Sequence, residues 1–129
     1  IIYPIINLKD FNLTIATYVD LLETTIVSTL NKFKIQCKRK PEQKGVWVED
    51  RKIASIGINV KKHISIHGAA LNVNTDLSYF NLINPCGLGF PMTSMQKELE
   101  QICDIAAVKS AWTDSFSANT NSQIEFIEG

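Results

Sequence analysis

The sequence predicts an α/β (α+β) domain, in which helices pack on a sheet, and two patterns carry this prediction. Apolar residues alternate with other residues along residues 52–60 and 64–73, which is typical of half-buried strands. The short connection at residues 61–63 predicts that these strands form a hairpin. Upstream, apolar residues recur at spacings of three and four between Ile15 and Phe33, as expected for an amphipathic helix.

The composition is that of one ordinary globular domain. A chain of 129 residues, 45% hydrophobic and 20% charged, is long enough to bury a core. Its 13 basic and 13 acidic residues cancel, so no bulk attraction to nucleic acid or membrane is expected. No apolar run approaches the roughly 20 residues of a membrane-spanning helix. We therefore expect neither nucleic acid nor a membrane as a partner.

The sequence carries no motif for a metal or a nucleotide. Three cysteines without a CxxC pair argue against a disulfide framework and favour a reducing compartment. The two histidines lack the paired cysteines of a zinc site. Residues 87–89 (GLG) lack the third glycine of a dinucleotide fingerprint, and no GxxxxGK is present. We therefore expect no metal and no cofactor.

Other elements are predicted on the N-terminal side of the hairpin. Residues 1–8 are apolar and predict a buried strand. Asn12 or Thr14 caps the amphipathic helix. Residues 33–38 predict a short strand, and residues 45–48 predict another.

A basic stretch separates those two short strands. Residues 38–44 (KRKPEQK), together with Lys34, hold five basic residues against one acid. Runs of charge are usually solvent-exposed, so an exposed loop is the simpler interpretation. The alternative is a positive field that steers an acidic partner toward the domain.

The C-terminal part predicts mainly helices. Thr93 followed by Gln96 has the spacing of a capping box, which predicts where the second long stretch of helix begins. The predicted elements are a short helix at 76–82, helices at 94–103 and 104–116, and an edge strand at 123–127.

Three side chains in the central stretch are candidates for chemistry: Lys52, His67 and Cys86. The Pro-Cys-Gly run predicts a rigid turn that presents a thiol, because proline fixes φ and glycine allows close backbone approach. A nearby positive charge favours the thiolate, and Lys52 is the candidate neighbour. Composition alone favours a simpler interpretation, with Cys86 a small buried hydrophobe and Lys52 a surface residue. A cysteine–histidine pair of hydrolase type, using His67, is the competing functional hypothesis.

Several segments, in order and with matching spacing, resemble the lipoyl(octanoyl) transferases. These enzymes pass an octanoyl group from acyl carrier protein to a lysine of lipoate-dependent enzymes. The resemblance covers most of the chain and extends back to residues 3–8 (YPIINL). The other matching segments are residues 45–48 (GVWV), 52–57 (KIASIG), 67–73 (HGAALNV), Phe80 with Ile83, and 85–87 (PCG).

The resemblance implies a fold and a set of site residues. The fold is a mixed, mostly antiparallel sheet with packed helices, shared with biotin and lipoate protein ligases. Cys86 is then the nucleophile that carries the octanoyl group as a thioester, and Lys52 assists it. The residues implied in substrate binding, on the wall of the acyl pocket, are Ser55, Ile56, Gly57, His67, Gly68, Ala69 and Ala70.

The resemblance also implies partners and a setting. The partners are octanoyl-acyl carrier protein and lipoyl domains, used by a monomer in lipoate biosynthesis and protein lipoylation. The compartment is the cytoplasm, or an organelle matrix (mitochondrion or plastid) in a eukaryote. The family's upstream arginine-glycine-glycine and histidine-glycine-proline-glycine motifs are absent here. We therefore expect the chain to correspond to the C-terminal portion of such an enzyme.

Two other functions compete with octanoyl transfer. One is a relative of the lipoate or biotin ligases that makes an acyl-adenylate, for which the Pro-Cys-Gly thiol is unnecessary. The other is a non-catalytic module that binds acyl carrier or lipoyl domains. Dependence of the activity on Cys86 discriminates among the three.

Overall fold

A four-stranded antiparallel sheet, with its strands in chain order, forms one layer of the fold. The structure is a computed structural model, which describes residues 1–82 and 91–122. The strands are β1 (Lys38–Lys40), β2 (Gln43–Val48), β3 (Arg51–Lys61) and β4 (Ile64–Leu71). The helices in those ranges are α1 (Ile15–Lys32), α2 (Tyr79–Leu82), α3 (Met95–Leu99) and α4 (Ile105–Thr120). None of these helices is long and apolar enough to cross a membrane.

The predicted fold class is confirmed. Helices pack on a mostly antiparallel sheet, and a parallel backbone bridge between Lys52 and Met92 makes the pairing mixed. The central hairpin is also confirmed, since β3 and β4 pair without a register shift from Ala54 opposite Leu71 to Lys61 opposite Ile64. The two turn residues, Lys62 and His63, both have positive φ, as a type I′ turn requires.

Helix α1 supplies the apolar face that covers the sheet. Thr14 caps it, because the Thr14 hydroxyl accepts from the Thr17 N–H and the Thr17 hydroxyl accepts from the Thr14 N–H. One stripe of α1 packs on β2 and β3, and α4 packs beside it. Burying each large apolar side chain contributes about 1.5–3 kcal/mol. The stripe consists of Tyr18, Leu22, Ile26 and Leu30, all fully buried.

The N-terminal prediction of a buried strand is wrong. Residues 1–8 instead run along the edge of β4 and make two isolated antiparallel bridges, Ile2 to Ala69 and Asn7 to Ile64. Pro4 lies between these bridges and has no N–H to donate, which interrupts a ladder. A 3-10 turn at Leu8–Phe11 then leads the chain into α1.

The predicted strand at residues 33–38 is also wrong. Lys34 has a φ of 64°, so the chain turns sharply after α1. The strand β1 begins only at Lys38 and pairs with β2. The stretch predicted as an exposed basic loop is therefore a hairpin, because backbone pairing overrides the weak strand propensity of charged residues.

The C-terminal helices differ from the prediction in their bounds. Ser94 rather than Thr93 caps α3, with its hydroxyl accepting from the Lys97 N–H. Glu100 then takes a left-handed conformation, which ends α3 well before residue 103. Asp104 caps α4, which runs farther than predicted. The strand predicted at 123–127 lies outside the described residues.

Two glycines that face each other across the central hairpin give opposite predictions. A Cβ at Gly68 would lie 2.1 Å from the backbone oxygen of Ile2, whereas a Cβ at Gly57 would meet nothing within 4 Å. We expect Gly68→Ala to lower the free energy of unfolding by about 1–3 kcal/mol, because the N-terminal segment must shift. Gly57→Ala should change it by less than about 0.5 kcal/mol. Chemical denaturation measures both, and equal losses would contradict the packing described here.

Candidate active site

Lys52, predicted as the assisting residue, lies near the start of β3 opposite Trp47 of β2. Its ammonium is 5.4 Å from the centroid of the indole ring. The ammonium of Lys40 in β1 is 4.9 Å from the same ring. Trp47 is fully buried. The lysine stem therefore lies against an aromatic side chain, and cation–π attraction holds the head group there.

Gly45 makes room for the stem of Lys52. A Cβ at Gly45 would lie 2.7 Å from Cε of Lys52 and 2.6 Å from the backbone oxygen of Ala54. Gly45 also has a φ of 129°, a conformation that residues with side chains rarely adopt. The first residue of the matching GVWV segment thus has a physical task, which is to let the lysine lie close to β2.

The surroundings change the acidity of Lys52. Burial lowers the pKa of the Lys52 ammonium, and the charge of Glu23 on α1 opposes that effect by raising it. The net result is a pKa below the ordinary lysine value. Lys52 therefore loses its proton more readily than an ordinary surface lysine.

The backbone of Lys52 is joined to the segment that follows the Pro-Cys-Gly motif. The Lys52 N–H donates to the Pro91 carbonyl at 2.9 Å, and the Thr93 N–H donates to the Lys52 carbonyl at 2.8 Å. Cys86 itself lies outside the described residues, but it stands shortly before Pro91 in the sequence. The structure therefore places Lys52 next to residues 91–93, which follow the candidate nucleophile's motif in the sequence.

Two asparagines after β4 bind backbone groups farther along the chain, Asn72 in this segment and Asn74 just before α4. The side-chain amide of Asn72 donates to the Thr93 carbonyl at 3.0 Å. The side chain of Asn74 both donates to the backbone oxygen of Cys103 at 2.7 Å and accepts from its N–H at 2.8 Å. The sequence gives no sign of these contacts, because each asparagine bonds to a residue more than 20 positions away.

An ion pair adds to the same junction. Arg51, next to Lys52, donates to both carboxylate oxygens of Glu98 on α3, at 2.7 and 3.2 Å. The Thr93 hydroxyl donates to the same carboxylate. The hydrogen bond from Arg51 is the main reason that the pKa of Glu98 lies below its usual value. Sequence reasoning missed this pair, because the two residues belong to different elements.

The residues implied in substrate binding lie on the paired middle part of β3 and β4. Residues opposite each other in an antiparallel ladder share a face, and neighbours along a strand alternate. Ile56 and its partner Ala69 face the core, where Ala69 is buried. The other face carries small residues in opposing pairs, Ser55 with Ala70 and Gly57 with Gly68.

His67 occupies an unusual position on β4. It has a φ of 65°, rare within a strand, and its exposed ring meets the ring of Tyr3 edge-on at 5.8 Å. Its backbone partner is Ile58, which lies about 20 Å along β3 from Lys52 at the usual rise per residue. His67 and Lys52 therefore belong to different ends of the hairpin.

The other two cysteines have the character of structural residues. Both are free thiols, Cys37 half-buried and Cys103 buried. Burial raises the pKa of the Cys37 thiol to about 11 and also raises the pKa of Cys103. Both are therefore poor nucleophiles near neutral pH. Within residues 1–82 and 91–122, no cluster of three or more histidine, cysteine or acidic side chains could hold a metal ion.

The fold is similar to that of biotin and lipoate protein ligases. Biotin protein ligase from Aquifex aeolicus superposes with a TM-score of 0.74 at 18% identity, covering 92% of this chain and 51% of that one. Lipoate-protein ligase A bound with ATP superposes with a TM-score of 0.64 at 15% identity, covering 88% of this chain and 49% of that one. At such identities the likeness defines the fold alone.

The sequence then defines the family. Residues 1–117 match the lipoyl protein ligase A/B catalytic domain, and the chain belongs to that family. It is 50% identical over 116 residues to an octanoyltransferase of Thermoanaerobacter sp. (strain X514), covering 89% of this chain and 50% of the relative. An octanoyltransferase of Bacteroides fragilis (strain YCH46) is 42% identical over 113 residues, covering 83% of this chain and 51% of the relative. The chain spans about half the length of the curated relatives it matches.

The ion pair at the junction predicts a pH dependence of stability. The pKa of Glu98 is lower in the folded state than in the unfolded state. Its contribution to the free energy of unfolding is therefore complete above the unfolded-state pKa and is lost as the pH falls through the folded-state pKa. Glu98→Gln should lower the free energy of unfolding at pH 7 by about 1–2 kcal/mol. It should also flatten the acid-side decline between about pH 5 and pH 3, measured by denaturation at each pH.

The matched control for that variant is Glu49→Gln. Glu49 contacts the same arginine at 3.2 Å, but its side chain is 80% exposed. Exposed ion pairs contribute little, so this change should cost less than about 0.5 kcal/mol. An acid-side decline that is as steep in Glu98→Gln as in the parent would contradict the role given to Glu98.

Proposed function

We propose that this chain carries the acyl-transfer centre of an octanoyltransferase. In this reaction an octanoyl group passes from acyl carrier protein to Cys86 and then to a lysine of a lipoyl domain. The observation that carries the proposal is the backbone junction of Lys52 with residues 91–93, in a chain 50% identical to an octanoyltransferase. That junction supports a site in which Lys52 and Cys86 act together.

The first step exchanges one thioester for another. The thiolate of Cys86 attacks the carbonyl carbon of the octanoyl carrier, and the tetrahedral intermediate expels the carrier thiolate, which takes up a proton. The bond energies of the two thioesters are nearly equal, so ATP is unnecessary. As an ammonium, Lys52 stabilises the attacking thiolate and raises its population at neutral pH.

The second step forms an amide. The amine of a lipoyl-domain lysine attacks the octanoyl thioester, the Cys86 thiolate leaves, and the amine loses a proton. A neutral Lys52 accepts that proton, and the lowered pKa of Lys52 favours this neutral form. The acceptor lysine ends as an octanoyl amide, which makes the second step favourable.

The small-residue face of the central hairpin is the proposed wall of the acyl pocket. Ser55, Gly57 and Ala70 share this face, and space remains open beyond Gly57. An extended octanoyl chain needs an apolar surface without projecting side chains, and small residues provide one. Ile56 and Ala69 support this wall from the core side, while His67 and Gly68 extend it toward the N-terminal segment.

We propose that residues 1–129 form a single domain that is the C-terminal portion of an octanoyltransferase-like catalytic domain. The sheet, α1 and α4 share a single hydrophobic core. We propose that this domain acts as a monomer in the cytoplasm, where its bacterial relatives are expected to find acyl carrier protein.

Intact-protein mass spectrometry tests the thioester mechanism. The chain is mixed with octanoyl-acyl carrier protein without ATP, alongside a Cys86→Ser control. We expect an octanoyl adduct on the parent alone, and hydroxylamine should remove it because thioesters are labile to that reagent. No adduct from octanoyl-acyl carrier protein, together with octanoylation of a lipoyl domain that needs free octanoate and ATP and persists in Cys86→Ser, would favour the ligase alternative. Binding without any adduct would favour a non-catalytic module.

Removing the charge of Lys52 should slow acylation of Cys86. We expect Lys52→Ala to keep the fold and to reduce the acylation rate by roughly tenfold or more, since it removes the cation that raises the thiolate population of Cys86. Lys52→Met keeps the apolar stem on Trp47 and should show the same loss. The rate is followed by mass at saturating carrier protein.

Lys40 offers the matched control for that experiment. Its ammonium contacts the same indole ring, so Lys40→Met removes an equal charge close by. It should leave the acylation rate within about threefold of the parent. Unchanged acylation in the Lys52 variants would remove Lys52 from the mechanism.

The β1–β2 hairpin is the proposed docking surface for the acidic carrier protein. Lys38 and Lys44 are exposed on it, and Lys40 reaches from it to the indole that also contacts Lys52. A groove of about 710 Å3 separates the hairpin from α1. Positive charge next to the reacting lysine would steer an acidic domain to the correct side of the protein.

Charge reversal tests this surface. The double variant Lys38→Glu with Lys44→Glu should lower kcat/KM for octanoyl-acyl carrier protein by about tenfold at low salt, and the difference should shrink as salt rises. The control is Lys61→Glu with Lys62→Glu, which changes net charge equally at the far end of β3. Equal effects of the two double variants would show that only net charge matters.

A further inference from the structure

Glu23 is a buried acid on the helix that covers the sheet. Its side chain is 5% exposed, although its neighbours on that face of α1 are mainly apolar. Burying a carboxylate is costly unless hydrogen bonds and opposite charges compensate for the lost water. Such a residue calls for a reason beyond packing.

The partners of Glu23 lie on the β1–β2 hairpin. Its carboxylate accepts from the Gly45 N–H at 3.3 Å and lies 3.6 Å from Nε of Arg39. Gly45 is the residue over which the stem of Lys52 passes. One short piece of β2 therefore connects the buried carboxylate with the lysine of the proposed site.

Other charges around Lys52 are compensated or have the same sign as Lys52. On α1, Asp20 pairs with Arg39 and is largely exposed. Arg51 pairs with Glu98. On the β1–β2 hairpin, the ammonium of Lys40 contacts the same Trp47 ring as Lys52. Lys44 on that hairpin is also positively charged. Among the described residues, the charge of Glu23 acts on Lys52 and raises its pKa against the effect of burial.

We propose that Glu23 is a positioning residue, which fixes Gly45 beneath the stem of Lys52 and keeps Lys52 cationic in a partly buried site. The importance of this for catalysis rests on the proposed function, whereas the effect on Lys52 itself does not. Cationic Lys52 is the form that stabilises the thiolate in the first acyl transfer. Without Glu23, burial would leave Lys52 mostly neutral at a lower pH and so weaken that step.

Competitive labelling of Lys52 measures this effect without any octanoyl donor. The folded chain is treated with a trace of acetic anhydride at a series of pH values, and acetylation of Lys52 is quantified by peptide mass spectrometry. Only the neutral amine reacts, so the labelling curve follows its deprotonation. Glu23→Gln keeps the shape and the oxygen that accepts from Gly45, and it removes the negative charge.

We expect Glu23→Gln to move the Lys52 curve to lower pH and to raise its acetylation near pH 7.5 by about threefold or more. Asp20→Asn is the matched control, because Asp20 also pairs with Arg39 from the same helix. It should leave the curve unchanged. An unmoved curve in Glu23→Gln, or an equal movement in Asp20→Asn, would overturn the proposal.

A second variant covers the possibility that Glu23→Gln does not fold. Arg39→Gln removes the cation that faces Glu23, so Lys52 should become harder to deprotonate and its acetylation at fixed pH should fall. A rise or no change would overturn the proposal by this route. The same set also gives an activity readout.

In that readout, the pH profile of Cys86 acylation should follow the Lys52 labelling curve from variant to variant. If Glu23→Gln shifts the Lys52 labelling curve but no octanoyl adduct forms at any pH, the effect of Glu23 on Lys52 stands and the proposed function is rejected. If an adduct forms but its pH profile stays the same when the labelling curve shifts, octanoyl transfer stands and Glu23 has no importance for catalysis.

Discussion

The candidate site depends on two backbone hydrogen bonds that join Lys52 to Pro91 and Thr93. These bonds connect the start of β3 with a segment far away in sequence, on the C-terminal side of the Pro-Cys-Gly motif. The side chains of Asn72 and Glu98 both bond to Thr93, which is buried in this segment. Because buried polar groups must be paired, these bonds fix how residues 91–93 lie against β3.

A second constraint on the position of Lys52 lies where α1 packs against β2. Gly45 has no side chain, so the stem of Lys52 can lie close to the strand, and the Gly45 N–H is held by Glu23. The indole ring of Trp47 contacts the ammonium of Lys52. Burial disfavours the lysine cation, whereas the charge of Glu23 favours it, and the balance leaves the pKa of Lys52 lowered.

The sequence predicted the elements whose signals are local. The alternation in β3 and β4, the apolar stripe of α1 and the cap at Thr14 all appear in the structure. Errors arose where distant pairing decides the structure. Charged residues form β1 because β2 lies beside them, and Pro4 interrupts the pairing of an apolar segment that resembled a strand. Lys52 was identified through the resemblance, while Glu23 was missed, since a glutamate in an amphipathic helix carries no sign of its burial.

The central claim is that Lys52 favours the thiolate of Cys86, and the rate of thiol alkylation tests it most directly. Iodoacetamide labelling of Cys86 at pH 7, followed by peptide mass, is compared in the parent, Lys52→Met and Lys52→Arg. Cys37 and Cys103 serve as internal controls, because burial raises the pKa of each. We predict slower labelling of Cys86 in Lys52→Met, substantial recovery in Lys52→Arg, and no change at the control thiols. Equal rates for Cys86 in all three proteins would contradict the account.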